Sequence, residues 1–96
     1  MQDFYIYILH CNDDSYYVGH TDNIETRISA HEQRHYPNCY TATRLPVKVV
    51  FVQPTSSRGE ALEAERQIKG WSRRKKEALI NGDFKLLRAL AKKTNF

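Results

Sequence analysis

Phe4-Tyr5-Ile6-Tyr7-Ile8-Leu9 is an unbroken run of aromatic and aliphatic residues, which predicts a strand buried on both faces. Asn12-Asp13-Asp14-Ser15 is turn chemistry, and Tyr16 to His20 reads as a second strand, closing a hairpin. If the loop is the three residues Asn12-Asp13-Asp14, Tyr7 and Tyr17 share a face diagonally and Gly19 stands opposite Tyr7, leaving open space over the sheet. Thr21-Asp22-Asn23 then opens a helix to about Gln33, with Asp22 as N-cap and Glu25 three residues on as a capping-box partner. His35 to Pro46 reads as a loop. Val47 to Val52 is a third strand, ended by Pro54-Thr55-Ser56-Ser57. Ser57 or a neighbour caps a helix to Lys69, Gly70 breaks it, and Ser72 caps another to Ile80. Asn81-Gly82 ends that helix, and Asp83 starts a last one from Phe84 to about Lys92. The order ββαβαα plus a C-terminal tail helix gives an α+β fold, a small sandwich with a three-stranded antiparallel sheet flanked by helices. Residues 1–82 are expected to form the domain and 83–96 the helical tail.

Several polar residues fall where this pattern calls for apolar ones. Ile24 and Ile28 define the inner stripe of the first helix, yet Arg27 and His31, four apart, lie on the same side. An arginine snorkelling to solvent and a locally bonded histidine would explain them without any function. On the second helix Ala61, Ala64, Ile68 and Trp71 mark the inner face, and Glu65 falls among them. A carboxylate there needs a cation beside it: Arg27 in a structural salt bridge, or a divalent metal, for which a hard oxygen is a suitable ligand. Tyr7, Tyr17, Arg27, His31 and Glu65 are all expected to face one interior side.

The chain has 96 residues, enough for one domain with a thin core. Its 41% hydrophobic and 27% charged residues argue against disorder. No apolar run approaches the roughly 20 residues of a membrane span, and the N-terminus lacks the pattern of a cleaved signal peptide. Cys11 and Cys39 form neither a C-x-x-C pair nor a zinc spacing with histidine, so two thiols in a reducing cytoplasm are favoured over one disulfide. The formal charge of +4 is concentrated from Arg66 onward, which permits a polyanionic partner and equally permits a solvated helical face.

The residues singled out carry a resemblance. Tyr5-Ile6-Tyr7 followed by Tyr17-Val18-Gly19 resembles the paired tripeptides that name the GIY-YIG nucleases. Arg27 matches the arginine after the second tripeptide, His31 the histidine one helical turn on, and Glu65 the glutamate of the following long helix. A small stand-alone bacterial subgroup is closer still, with a similar Tyr40-Thr41…Arg44-Leu45-Pro46 approach to the third strand. It also has a similar run of Glu65, Ile68-Lys69, Ser72-Arg73, Lys75-Lys76 and Leu79-Ile80. The resemblance covers about residues 3 to 80. Tyr5 stands in place of the motif's first glycine. The asparagine that many members carry about a dozen residues after the glutamate is missing, the next being Asn81.

The resemblance implies a metal-dependent endonuclease hydrolysing DNA phosphodiester bonds with low sequence specificity, of the kind used in DNA repair or processing. It implies one Mg²⁺ or Mn²⁺ ion at Glu65 with waters, acting as Lewis acid. Arg27 would clamp phosphate oxygens, Tyr7 would act as general base or position the water, Tyr17 would orient Tyr7 or touch the phosphate, and His31 would relay the proton. Gly19 would leave room for the substrate backbone, and Thr21 would cap the first helix or support Tyr17. Arg44, Lys69, Arg73, Lys75 and Lys76 would contact phosphates of DNA, or of RNA, without reading sequence. Trp71 is expected to pack under the helix break rather than stack on a base. The competing reading is a nucleic-acid-binding module without efficient chemistry, which the missing asparagine motivates.

Overall fold

The computed structural model describes residues 3–33 and 40–94. The loop residues 34–39, with His35, Pro37-Asn38 and Cys39, lie outside them. Strands β1 (Phe4–Cys11), β2 (Tyr16–Thr21) and β3 (Val47–Thr55) form an antiparallel sheet in the order β2-β1-β3. Helices α1 (Ile24–Glu32), α2 (Arg58–Lys69), α3 (Arg73–Ile80) and α4 (Phe84–Thr94) complete the α+β architecture. No helix among the described residues is long and apolar enough to cross a membrane.

The hairpin turns on three residues. The Cys11 N–H donates to the Ser15 carbonyl at 2.8 Å, and Asp14 has φ 70°, the left-handed residue that ends such loops. The resulting register sets Tyr7 against Gly19 and Leu9 against Tyr17. Arg44 holds Asp13 at 2.9 Å. Arg73 reaches Asp14 at 3.2 Å and lies over the Tyr16 ring, while the Tyr16 hydroxyl donates to Glu77 at 3.0 Å. Burial and the Glu77 carboxylate together push the Tyr16 phenol's pKa up.

The sheet has helices on both faces. Ile6, Ile8 and Val18 pack with Ile68, Leu79, Ala64 and Trp71 of the α2–α3 side. Tyr7, Leu9, Cys11 and Val47 pack with Tyr17, Ile24 and Ile28 on the α1 side. The continuous apolar run of β3 follows from this arrangement. A register shift between Ile8 and Leu9 inserts an extra residue, so Val50 and Phe51 both serve the α2–α3 cluster while Val47 and Val49 serve the other. β3 also runs on through Pro54 to Thr55, past its expected end, because a strand at the border of a sheet tolerates proline.

Side-chain caps start the helices. Ser57 accepts from the Glu60 N–H at 3.1 Å and Ser72 from that of Lys75 at 3.2 Å. The α1 cap is Asn23, which accepts from the Thr26 N–H at 3.0 Å, and not Asp22. Thr21 accounts for the one-residue shift, since its hydroxyl bonds both the N–H and the carbonyl of Asn23 and turns the chain into the helix there. α3 ends at Asn81 with Gly82 at φ 70°. The Gly82 N–H donates to Leu79 and that of Asp83 to Ala78, the paired bonds of a glycine-terminated helix. Part of the expected 35–46 loop is a 3-10 turn, Tyr40–Thr43.

Candidate active site

Tyr7 sits in the central strand and is fully buried. Its hydroxyl lies 3.1 Å from Nε2 of His31, whose Nδ1 lies 2.8 Å from Oγ1 of Thr41. His31 and Thr41 are themselves 2% and 1% exposed. α1 supplies the imidazole and the 3-10 turn supplies the hydroxyl that fixes it, so three elements lock one phenol. The Tyr17 ring, half-buried, lies 5.1 Å from the His31 ring and 6.3 Å from that of Tyr7.

The space expected over Gly19 is filled by the Tyr7 phenol. A Cβ on Gly19 would come 2.5 Å from the Tyr7 Oη, 2.6 Å from its Cζ and 3.1 Å from Cε2 of Tyr17. Glycine is therefore required there to admit the tyrosine ring, and the room expected for a substrate backbone does not lie at that point.

Burial, and after it the charge of Arg27, holds the His31 pKa below its ordinary 6.5. A depressed imidazole pKa means that the unfolded chain binds the proton more readily. The stability His31 contributes is thus complete above about pH 6.5 and is lost as the pH falls through the folded-state value. The melting temperature is expected to fall between pH 7 and pH 5, and His31→Asn is expected to flatten that slope in thermal scans. An unchanged slope in the variant would refute the assignment.

Glu65 lies on the other face of the sheet. Its Oε1 is 2.8 Å from Nδ1 of His20 and its Oε2 is 3.2 Å from Nζ of Lys69. The cation beside this carboxylate is thus Lys69, one helical turn along, and not Arg27. The expectation that all five residues face one side fails because α1 and α2 cover opposite faces. They meet instead around the border strand β2, where Lys69 bridges from Glu65 to within 5.8 Å of the Tyr17 ring centroid. At the end of β2 a polar cleft of about 210 Å³ is lined by Phe4, His20, Thr21, Asp22, Arg27 and Arg58. His20 and Arg58, which the sequence reading did not single out, belong to this region. His20 directly follows the Tyr17-Val18-Gly19 tripeptide, a signal that was available.

The basic residues expected on a phosphate-binding surface divide. Arg73 is engaged with Asp14 and Glu77, and Arg44 with Asp13 and the Tyr40 carbonyl. Both therefore pin the hairpin turn as well as carrying charge. Lys75 lies 4.3 Å from the Trp71 ring centroid, and Trp71 packs against the α2–α3 core. Lys76 is half-buried on α3.

Residues 3–78 match the model of the GIY-YIG catalytic domain. The chain belongs to the GIY-YIG family. This GIY-YIG chain is 41% identical over 80 residues to a UPF0213 protein of Staphylococcus haemolyticus, covering 83% of the chain and 96% of the relative. It is 42% identical to a UPF0213 protein of Syntrophus aciditrophicus, covering 83% and 92%. The solution NMR structure of a UPF0213 protein from Bacillus halodurans shares its fold with TM-score 0.54 at 38% identity, covering 82% of this chain and 83% of that one. The GIY-YIG domain sets the chain in a nuclease superfamily, and the UPF0213 proteins it is similar to are small members of that family.

The donor set at Glu65 can be tested against the divalent ion implied by the resemblance. No group of three or more His, Cys, Asp or Glu side chains converges among the described residues, so the site offers one carboxylate and one imidazole. The carboxylate suits Mg²⁺, which binds protein through one or two carboxylates and completes its shell with water and phosphate oxygens, while the imidazole, bonded to Oε1, would orient that carboxylate. Lys69, whose side chain is half exposed, neutralises the carboxylate and has the freedom to yield its place.

Proposed function

We propose that this GIY-YIG chain hydrolyses DNA phosphodiester bonds with one divalent ion held by Glu65. The observation that carries the reading is the meeting, around β2, of the Glu65–His20 pair with a polar cleft lined by Arg27 and Arg58. A scissile phosphate in that cleft would face two guanidinium forks, which bind phosphate oxygens bidentately and stabilise the added charge of the transition state. The ion, when bound, supplies Lewis-acid stabilisation of the leaving oxygen. Tyr17, which Lys69 links to Glu65, would orient the attacking water. Tyr7, sealed beneath Gly19, acts with His31 as a positioning pair that fixes where Tyr17 stands, in place of the water-activating role expected from sequence alone.

The test is plasmid nicking by purified protein across Mg²⁺, Mn²⁺ and chelator. Nicking that needs the metal and disappears in Glu65→Gln supports the reading. Equal nicking by the variant assigns the activity to a contaminant. Arg27→Ala is expected to lose about 10²–10³-fold in rate, the size of one removed transition-state donor. Binding should weaken steeply with salt as Lys69, Lys75 and Lys76 release counterions. Their charges contact phosphates without reading bases, so little sequence preference is expected.

A binding module without turnover is the second reading. The pairing of both Glu65 oxygens within the chain favours it. It requires salt-sensitive nucleic-acid binding with no cleavage under either metal.

A further inference from the structure

Thr41 of the 3-10 turn Tyr40–Thr43 fixes His31, but Tyr40, the first residue of the turn, has no role in the chemistry above and stands at the surface. Tyr40 is 42% exposed. Burial does not hold its ring. The Arg44 guanidinium lies 3.8 Å from the ring centroid and is itself fixed by Asp13 at 2.9 Å and by the Tyr40 carbonyl at 2.7 Å. Beneath, buried Thr41 anchors the turn to His31. The Tyr17 ring stands 6.3 Å from Tyr40 and 25° from parallel, and Lys69 lies beyond Tyr17, joined to Glu65. Cation, ring, ring and cation thus follow one another along the rim, from the hairpin turn to the carboxylate.

That alternation matches a polymer in which flat bases alternate with phosphate charges. We infer that Tyr40 is a stacking shelf for a nucleobase lifted out of its helix on the strand held at Glu65, at the end of that row away from the carboxylate. The inference rests on the nuclease reading for where the phosphate sits, and it goes further by assigning Tyr40 as a residue that selects unpaired substrate. Arg44 holds the ring in place and sets positive charge next to it, so the shelf loses little conformational entropy when a base arrives. Every base presents a π-face, so such a shelf discriminates paired from unpaired bases without reading sequence.

The experiment measures binding, not cleavage, so it stands whether or not the nuclease reading does. The Glu65→Gln chain is titrated with a short single-stranded oligonucleotide and with an abasic strand of equal length. The same is done in the Tyr40→Leu and Tyr40→Trp backgrounds, with circular dichroism to verify folding. Tyr40→Leu is expected to weaken binding of the base-bearing strand about ten-fold, the scale of one lost base–aromatic stack, and to leave the abasic strand within two-fold. Tyr40→Trp is expected to keep both affinities. Equal weakening of the two strands would make Tyr40 a mere support for Tyr17 and overturn the inference, as would absence of binding to either strand. Failure of the nuclease reading would appear separately, as metal-independent or absent nicking by the wild-type chain.

Discussion

Glu65→Gln is expected to lower metal-dependent nicking on the order of a thousand-fold while leaving the melting temperature nearly unchanged. The rate estimate follows from losing several kcal/mol of charge stabilisation at the leaving oxygen, with each 1.36 kcal/mol worth ten-fold. The stability estimate follows from what the carboxylate touches. Its oxygens bond His20 at 2.8 Å and half-exposed Lys69 at 3.2 Å; the amide oxygen of glutamine can keep the first, and an ion pair to a half-exposed lysine is worth about 0.2–1 kcal/mol. Had Arg27 been the buried partner, removing the charge would have cost about 3–5 kcal/mol. The measurement is nicking rate and thermal melt on the same preparation. A collapse of the melt in parallel with the rate would make Glu65 a structural residue and defeat the catalytic assignment.

Gly19→Ala is expected to damage both stability and activity. The added methyl would meet Tyr7 at 2.5 and 2.6 Å, inside any real carbon contact. The Tyr7 ring has nowhere to retreat: it is fully buried, bonded to His31, and packed with Leu9, Cys11 and Val47. Overpacking of a filled core costs about 1–3 kcal/mol, which for a chain of this size is roughly 4–8 °C of melting temperature per kcal/mol. The displaced phenol would also shift Tyr17, whose Cε2 lies 3.1 Å from the same methyl, and lower the nicking rate. Combining Gly19→Ala with Tyr7→Leu, which removes the ring, should cost less than the sum of the two single changes. Strict additivity would mean that the contact is not the cause.

The elements were legible because each rested on a local rule: the six-residue apolar run of β1, the three-residue turn, Ser57 and Ser72 as caps, Gly82 as terminator. Even the Tyr7–Gly19 pairing followed from counting the loop. What counting cannot supply is the side of the sheet on which a helix lands. Ile24 and Ile28 show that α1 has an inner face, and Ala61 and Ile68 show the same for α2, but nothing in either stripe says that they cover opposite faces. For that reason Glu65 could be identified by resemblance while its partners, His20 and Lys69, could not. Asp22 and Asn23 are both good caps; the Thr21 hydroxyl decided between them. Arg44 and Arg73 were readable as charge, but their acidic partners in the hairpin turn become visible only once the chain is folded.

Pro54, within β3, bears on how copies of this chain behave when crowded. An outermost strand normally offers a row of amide donors on which a neighbouring molecule can extend the sheet. Proline contributes none, and Lys48 places a positive charge further along the same strand. The far margin of the sheet is thus a poor template for fibrillar growth, and the opposite margin is left to the chemistry.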